Sequence, residues 1–168
     1  MSDCDERLNY SWNDATLAGD VAAFAGAVIV RGSEYISHGE IQTGLSDDGR
    51  TWAPNLAELY AEDFADPGER DMLVGLDGEG RVRAFLIIAW EASSRRQFAV
   101  IEDMAVDPAL RGQGVGGELL AMAQKRIRAR GIDWVFLESG LGNEDAHRFF
   151  ERAGFHMTSH VFAKRLES

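Results

Sequence analysis

The stretch from Ile101 to Leu120 limits the possible folds of this chain more than any other part of the sequence. It reads IEDMAVDPALRGQGVGGELL, a strand pattern followed by a proline-stopped loop and an amphipathic helix. Glycine occupies four of the six positions 112–117. That is more than a helix cap needs, and each glycine loses backbone entropy on folding. Exposed amide N–H groups in such a loop, together with the positive end of the helix dipole, bind anions. The stretch therefore predicts a phosphate site, in particular one for a pyrophosphate.

A dinucleotide-binding fold is the first interpretation of this loop to consider. Gly112, Gly114 and Gly117 satisfy the G-x-G-x-x-G pattern of such folds, which is a weak signal by itself. A dinucleotide fold places its first glycine at the end of a strand, early in a βαβ unit. Here residues 107–111 separate the strand from the first glycine, and more than 100 residues come before it. This placement argues against a nicotinamide cofactor.

Hydrophobic periodicity and turn signals predict an α/β chain in the order β-α-α-β-β-β-α-β-α-β. The turn at residues 77–80, Asp-Gly-Glu-Gly, predicts a hairpin between the second and third strands. Residues 31–51 are predicted to form a long connection, and the basic stretch 125–130 is predicted to form a solvated helix face that balances nearby carboxylates. The predicted helices span residues 13–24, 54–64, 114–130 and 144–153, and the predicted strands are Leu8–Trp12, Met72–Leu76, Val82–Trp90, Phe98–Val106, Trp134–Leu137 and Val161–Arg165.

Composition and charge narrow the class of protein further. The length of 168 residues predicts one domain, residues 1–168, and the net charge of -11 argues against partners such as nucleic acid or an anionic membrane. A negative field would instead concentrate cationic small molecules. Cys4 is the only cysteine, and the acidic N-terminus lacks the order of a signal peptide, so the chain is predicted to be cytoplasmic. The four histidines show no metal-ligand spacing, and no metal site is predicted.

Two motifs resemble the GNAT superfamily of acetyl-CoA-dependent N-acetyltransferases. Residues 111–116, Arg-Gly-Gln-Gly-Val-Gly, match its Q/R-x-x-G-x-G/A loop, and residues 102–108 look like the strand before it. Residues 143–155 match a second family motif, except that Phe150 stands where tyrosine is usual. The resemblance implies a GNAT-like α/β fold. Its central sheet would be mixed and mostly antiparallel, with helices on both faces and fourth and fifth strands that splay apart.

The resemblance also implies acetyl-CoA as co-substrate and assigns residues to it. The backbone of Met104, Ala105 and Val106 would bind the pantetheine arm as an added strand does. Asn143 would contact the pantetheine and Phe150 would lie beside the thioester. The pyrophosphate would be held by the loop and the first helical turn, which comprise Arg111, Gly112, Gln113, Gly114, Val115, Gly116 and Gly117.

Acetylation of an amine needs a proton acceptor and a group that polarises the thioester carbonyl. Period-2 alternation puts Glu102 on the face of Met104 and Val106, which makes Glu102 the candidate general base. An equally weighted interpretation is a strand carboxylate that is solvated or paired with an arginine. The backbone N–H of Met104 is the candidate oxyanion donor. Because Phe150 cannot protonate the leaving thiolate, water or one of Tyr10, Tyr35 and Tyr60 would have to do so.

The acceptor is predicted to be a primary amine on a small cationic metabolite or antibiotic-like compound, acetylated by direct attack in a ternary complex. In the family, the segment between the first two helices lines the acceptor site. Here that segment contains Tyr35, His38, Glu40 and Trp52, which are the substrate-binding candidates together with Glu102. A polar surface loop is the competing interpretation of this segment. Protein lysine or N-terminal acetylation, a weakly catalytic acyl-CoA sensor, and a homodimer all remain open.

Overall fold

The computed structural model of the protein describes residues 7–167. The position of Cys4 and the N-terminal residues used to judge a signal peptide lie outside the described residues. The chain divides into two compact units, one built from residues 1–31 and 55–137 and the other from residues 32–54 and 138–168. A single domain spanning residues 1–168 stays a prediction, and the two units are described separately below.

The first unit contains a five-stranded sheet in the order β1-β2-β3-β4-β5. Strands β1 to β4 pair in antiparallel fashion with their neighbours, and β5 pairs in parallel with β4. The predicted mixed, mostly antiparallel sheet of an α/β fold is thereby confirmed. The strands are β1 (Asn9–Trp12), β2 (Arg70–Leu76), β3 (Val82–Ala92), β4 (Gln97–Val106) and β5 (Val135–Leu137).

Five α-helices form among the described residues, and the four predicted helices are among them. The first predicted helix is longer than expected: Asp14 caps a 3-10 turn, and the α-helix then continues to Ile29. The helix of five residues that begins at His38 was not predicted. The helices are α1 (Ala18–Ile29), α2 (His38–Gln42), α3 (Leu56–Ala65), α4 (Val115–Ala129) and α5 (Glu144–Arg152).

Helices cover both faces of the sheet in the first unit. The ring of Phe85 on β3 packs edge-on against Phe24 of α1, with ring centroids 6.1 Å apart, and lies 5.9 Å from Phe64 of α3. Trp90, five residues further along β3, lies on the opposite face because side chains alternate along a strand. There the guanidinium of Arg130, at the end of α4, lies 3.8 Å from the centre of the Trp90 ring. Residues 84–89 of β3 are therefore buried from both sides.

Two arginines of the basic stretch at the end of α4 balance a nearby carboxylate, as predicted, and both also pack against aromatic rings of the sheet. Arg126 Nε lies 2.6 Å from a carboxylate oxygen of Asp71 on β2, and Arg130 Nη2 lies 3.9 Å from the same oxygen. Arg126 also stacks over Trp12 of β1 at 4.3 Å. A guanidinium is weakly hydrated and stacks well on aromatic faces, so it can leave water where a lysine would not.

In the second unit, the predicted long connection is more ordered than expected. A 3-10 turn spans Ser33–Tyr35, and Ser37 and Glu40 form a capping box that begins α2. The loop that follows is organised by Asp48, which accepts hydrogen bonds from the amides of Arg50 and Thr51, each at 2.8 Å. These bonds lower the pKa of Asp48 to about 2.

The predicted C-terminal strand Val161–Arg165 is absent from the described residues. Residues 156–167 lie in no helix or strand, and all of them are exposed. A strand is stable only where a neighbouring strand accepts its backbone hydrogen bonds. No strand pair among residues 7–167 involves this tail. A local apolar pattern was therefore insufficient evidence for a strand.

We expect Asp71→Asn to lower the free energy of unfolding by about 1–3 kcal/mol at neutral pH, because it removes the charge that Arg126 faces in a largely buried site. Burial raises the pKa of Asp71, but hydrogen bonds from Arg126 and Asn13 outweigh burial and hold the pKa below the ordinary value of 3.8. The stabilisation by the Asp71 charge is thus complete at pH values above 3.8, and it is lost as the pH falls through the lower pKa of the folded state.

Urea unfolding of the parent and the variant at a series of pH values measures this difference. The matched control is Asp145→Asn, which removes an exposed carboxylate paired with Arg148 on α5. An ion pair that is exposed to solvent contributes little to stability, so this change should be small. Equal losses for the two variants, or a difference that grows on acidification, would contradict the assignment.

Candidate active site

Within residues 7–167, the outer edge of β4 has no strand partner over half of its length. β5 pairs with β4 only from Ala99–Val135 to Ile101–Leu137, and no described strand pairs with residues 102–106 on that side. Met104, Ala105 and Val106, predicted to bind a pantetheine arm, lie on this segment. An open edge of this kind can accept an extended ligand by the same backbone hydrogen bonds that add a strand.

A β-bulge lies where this open edge begins. On β3, Ile87 is opposite Asp103 and Ile88 is opposite Ile101, so Glu102 is the extra residue with no partner. Residues opposite each other in antiparallel strands point to the same face of the sheet. Ile101 and Asp103 therefore point to opposite faces, although they are two residues apart. Bulges re-aim side chains and are frequent next to active sites.

The bulge corrects one step of the sequence argument. Alternation placed Glu102 on the face of Met104 and Val106, but alternation is interrupted at Glu102 itself. The direction of the Glu102 side chain is instead defined by a contact, since its Oε2 lies 3.3 Å from Nη1 of Arg70 on β2. The structure thus shows Glu102 paired with an arginine, as one of the two interpretations predicts. The role of Glu102 as a general base stays a prediction.

Asp107 fixes the path from β4 into the glycine loop. Its Oδ1 accepts a hydrogen bond of 2.8 Å from the amide of Ala109, which starts the 3-10 turn Pro108–Leu110. Its Oδ2 accepts a hydrogen bond of 2.9 Å from Nε of Arg83 on β3. Leu110 is buried beneath the turn. The loop is therefore anchored to the sheet immediately before the glycines begin.

Gly112 and Gly114 have backbone φ values of 78° and 85°, a left-handed conformation that other residues adopt only with strain. Gly114 is the N-cap of α4, and no side-chain hydrogen bond caps this helix. The first four amides of a helix lack partners within it, so this end attracts anions. A Cβ atom built at Gly112, Gly114 or Gly117 would meet no atom within 4 Å. The predicted phosphate cradle thus has uncapped amides and open space around it.

Two predicted site residues, Arg111 and Gln113, alternate with these glycines. Both are exposed, and the Gln113 side chain donates a hydrogen bond of 3.3 Å to the carbonyl of Ala109. Val115 and Gly116 open α4, and Val115 is buried against the core. Residues 111–117 therefore share one short loop and helix start, as the motif predicts, with Val115 anchoring it.

One acidic side chain in the first turn of α4 has a defined partner. Glu118 accepts a hydrogen bond of 2.6 Å from the hydroxyl of Tyr10 on β1. Burial, together with the hydrogen bond and the negative charge of Glu118, raises the pKa of the Tyr10 phenol. Of the other tyrosines considered as proton donors, Tyr60 is buried and stacks on Phe64.

The candidate acceptor-binding residues lie in the second unit, and three of them have defined partners. His38 Nε2 lies 3.0 Å from a carboxylate oxygen of Glu138. Glu40 accepts hydrogen bonds from the amide and hydroxyl of Ser37 in the capping box. The indole N–H of Trp52 donates to the carbonyl of Gly32 at 3.1 Å. Tyr35, the fourth candidate, ends the 3-10 turn.

Asn143 and Phe150, predicted to contact the cofactor, also belong to the second unit. Asn143 is the N-cap of α5, where its side-chain oxygen accepts a bond of 3.4 Å from the amide of Ala146. Phe150 lies in α5 between two other rings, with centroids 5.3 Å from Phe149 and 5.9 Å from Phe155. The motif therefore describes a real helix start and aromatic cluster, and the cofactor contacts stay predictions.

Sequence reasoning missed Arg70, which contacts Glu102. A lone arginine at the start of a strand has no local signal, because its partners Asp63 and Glu102 are distant in sequence. It also missed α2, although Ser37-His38-Gly39-Glu40 has the S-x-x-E pattern of a capping box, a readable signal. Within residues 7–167, no cluster of side chains is arranged to hold a metal ion. No helix in this part of the chain has the length and apolarity to cross a membrane.

Comparison with known proteins identifies the family. The sequence model of the protein family described as "Acetyltransferase (GNAT) family" matches residues 38–155, which include the glycine loop and α5. The chain therefore belongs to the GNAT family of acetyltransferases, enzymes that use acetyl-CoA as acetyl donor.

Individual relatives agree with this assignment. The aminoalkylphosphonate N-acetyltransferase of Salmonella typhimurium is 29% identical over 107 residues, which cover 64% of this chain and 70% of that protein. The aligned stretch spans between 27% and 65% of the length of seven other curated relatives.

Solved structures share the fold at low identity. A tetramutant of a Bacillus halodurans protein has a TM-score of 0.73 at 18% identity, covering 94% of this chain and 99% of its own. An aminoglycoside N-acetyltransferase in complex with CoA has a TM-score of 0.67 at 15% identity, with both chains fully covered.

Two alanine substitutions should separate the backbone roles of the glycines from their role in binding. Gly117→Ala lies within α4 with open space around it and should stabilise the free protein by about 0.5–1 kcal/mol. Gly114→Ala should destabilise it by about 1–2 kcal/mol, because alanine would adopt a left-handed conformation. Both methyl groups stand among the first-turn amides, so both variants should bind CoA more weakly, by about tenfold.

Urea unfolding and calorimetric titration with CoA measure the two effects. Unchanged CoA affinity in Gly117→Ala would show that the phosphates do not approach this turn.

Proposed function

We propose that this protein transfers an acetyl group from acetyl-CoA to the primary amine of a small, cationic metabolite or antibiotic-like compound, within a ternary complex. The observation on which the proposal depends is the continuity of two features in the first unit. The edge of β4 at residues 102–106, which pairs with no described strand on its outer side, leads through an anchored turn to the uncapped start of α4. An extended arm ending in a pyrophosphate has the shape and charge that suit this pair of features.

The residues present fit acetyl-CoA. The uncapped amides of α4 and the positive end of its dipole suit the pyrophosphate, and the open space at Gly112, Gly114 and Gly117 admits it. Met104 and Val106 direct their backbone groups to this open edge and can offer them to the pantetheine amides, whereas Ala105 between them directs its groups toward β3. Acetyl-CoA, when bound, supplies an activated thioester, whose carbonyl carbon accepts a nucleophile.

The named relatives support the choice of a small amine as acceptor. One acts on aminoalkylphosphonates and another on aminoglycosides, as their names say. The net charge of -11 supports a cationic acceptor, since a negative field raises its local concentration. We also propose that Tyr35, His38, Glu40 and Trp52 contribute to amine recognition. Cytoplasmic localisation and a homodimer are further expectations of the same proposal.

The proposed chemistry assigns one task to each residue. The amine nitrogen attacks the carbonyl carbon, a C–N bond forms and the C–S bond breaks. Glu102 accepts the proton that the amine loses, and the backbone N–H of Met104 donates to the carbonyl oxygen as negative charge develops there. Phe150 has no proton to give, so the thiolate, whose ordinary pKa is about 8.5, takes its proton from water. Asn143 would help to orient the pantetheine.

We expect acetyl-CoA at about a hundredfold excess over its dissociation constant to raise the free energy of unfolding by about 2.7 kcal/mol. NADH at the same concentration should have little effect. Thermal unfolding with each ligand measures this, and release of free thiol with a panel of amines measures turnover.

Three outcomes contradict the proposal in different ways. Stabilisation by NADH and not by acetyl-CoA would exclude acetyl-CoA as the co-substrate. Stabilisation by acetyl-CoA without turnover of any amine would favour an acyl-CoA sensor. Turnover restricted to lysine side chains or N-termini of folded proteins would favour a protein acetyltransferase.

A further inference from the structure

The geometry points to Arg70 as a positioning residue for Glu102. We propose that Arg70 holds the Glu102 carboxylate at the bulge of β4, in the place where it accepts the proton of the acceptor amine. This inference rests on the proposed function, because it takes Glu102 as the proton acceptor. It adds a residue outside both family motifs, from a strand that carries no sequence signature.

Arg70 is an unusually constrained side chain. All five of its N–H donors have acceptors within 3.3 Å, and its side chain is only 16% exposed. Nε donates to the carbonyl of Pro67, and Nη2 donates to the carbonyls of Asp63 and Asp66. Nη1 donates to the side chains of Asp63 and Glu102, at 2.9 Å and 3.3 Å.

The three carbonyl bonds fix the guanidinium before Glu102 is considered. The carbonyls of residues 63, 66 and 67 belong to the C-terminal end of α3 and the turn after it, where helix carbonyls lack partners. A planar guanidinium with three fixed bonds has little freedom, so its remaining donors point in set directions. Burial lowers the pKa of Arg70, but Asp63 and Glu102 outweigh burial and raise it, so the positive charge is retained.

Glu102 needs such a partner because of its position. As the extra residue of a bulge it has no cross-strand neighbour, and its side chain is 36% exposed. A flexible glutamate there would sample several rotamers, whereas catalysis depends on a proton acceptor within hydrogen-bond reach of the amine. Arg70 therefore connects the proton acceptor of the proposed reaction to the rigid end of α3.

A purely structural role for Arg70 makes a different prediction, and a double-mutant cycle separates the two. The proteins are the parent, Arg70→Gln, Glu102→Gln and the double variant, assayed with acetyl-CoA and the best amine of the panel. If Arg70 acts through Glu102, Arg70→Gln should lower kcat about tenfold in the parent and less than about twofold in the Glu102→Gln background. KM for acetyl-CoA should stay unchanged in all four proteins.

Arg81→Gln is the matched control. Arg81 also lies between two carboxylates, Asp77 and Glu79, but in the turn between β2 and β3. It should leave kcat unchanged in both backgrounds. If Arg70→Gln does not fold, Arg70→Lys takes its place in the cycle, because lysine keeps the charge but lacks the planar fork.

Each outcome decides the inference. A loss of kcat on Arg70→Gln that occurs only where Glu102 is retained supports the inference. Equal loss of kcat in both backgrounds overturns it and assigns Arg70 to the stability of α3 alone, while the proposed function stands. Absence of turnover in the parent protein, in spite of acetyl-CoA binding, overturns the proposed function and with it the role of the pair in catalysis.

Discussion

The extra residue at the bulge of β4 is the constraint on which the candidate site depends. Before it, β4 is paired on both sides, with β3 and with β5. After it, β4 keeps β3, and no described strand pairs with it on the other side. One inserted residue thus coincides with the change from a closed sheet to an open edge, and Glu102 stands at the boundary. Because an open sheet edge is normally a liability, its position beside the predicted phosphate cradle supports the proposed site.

The helix that follows the glycine loop is held at both ends. Near its start, Glu118 accepts a hydrogen bond from Tyr10 on β1, and near its end Arg126 pairs with Asp71 on β2. These contacts fix α4 without any side chain capping its first amides. A helix that is anchored elsewhere can leave its N-terminus uncapped, at the usual loss of a capping bond, and so keep it available for an anion.

Local patterns were enough to predict most of the fold, because each element of the first unit has a strong signal of its own. The hairpin turn at residues 77–80 and the glycine loop at 112–117 are examples. Features that depend on distant partners could not be predicted. The bulge at Glu102 is defined by the register with β3, and the contacts of Arg70 are made with residues 7 and 32 positions away. The prediction of a strand in the C-terminal tail was wrong for the same reason, since a strand pattern does not specify a partner strand.

The most direct test of the central claim is a crystal structure of the protein with acetyl-CoA bound. The account predicts that the pantetheine arm lies along residues 102–106 of β4 and that the pyrophosphate contacts the amides of residues 112–117. It also predicts that Glu102 remains bonded to Arg70 with the ligand in place. A cofactor bound elsewhere, or phosphates held by side chains away from the start of α4, would contradict the account.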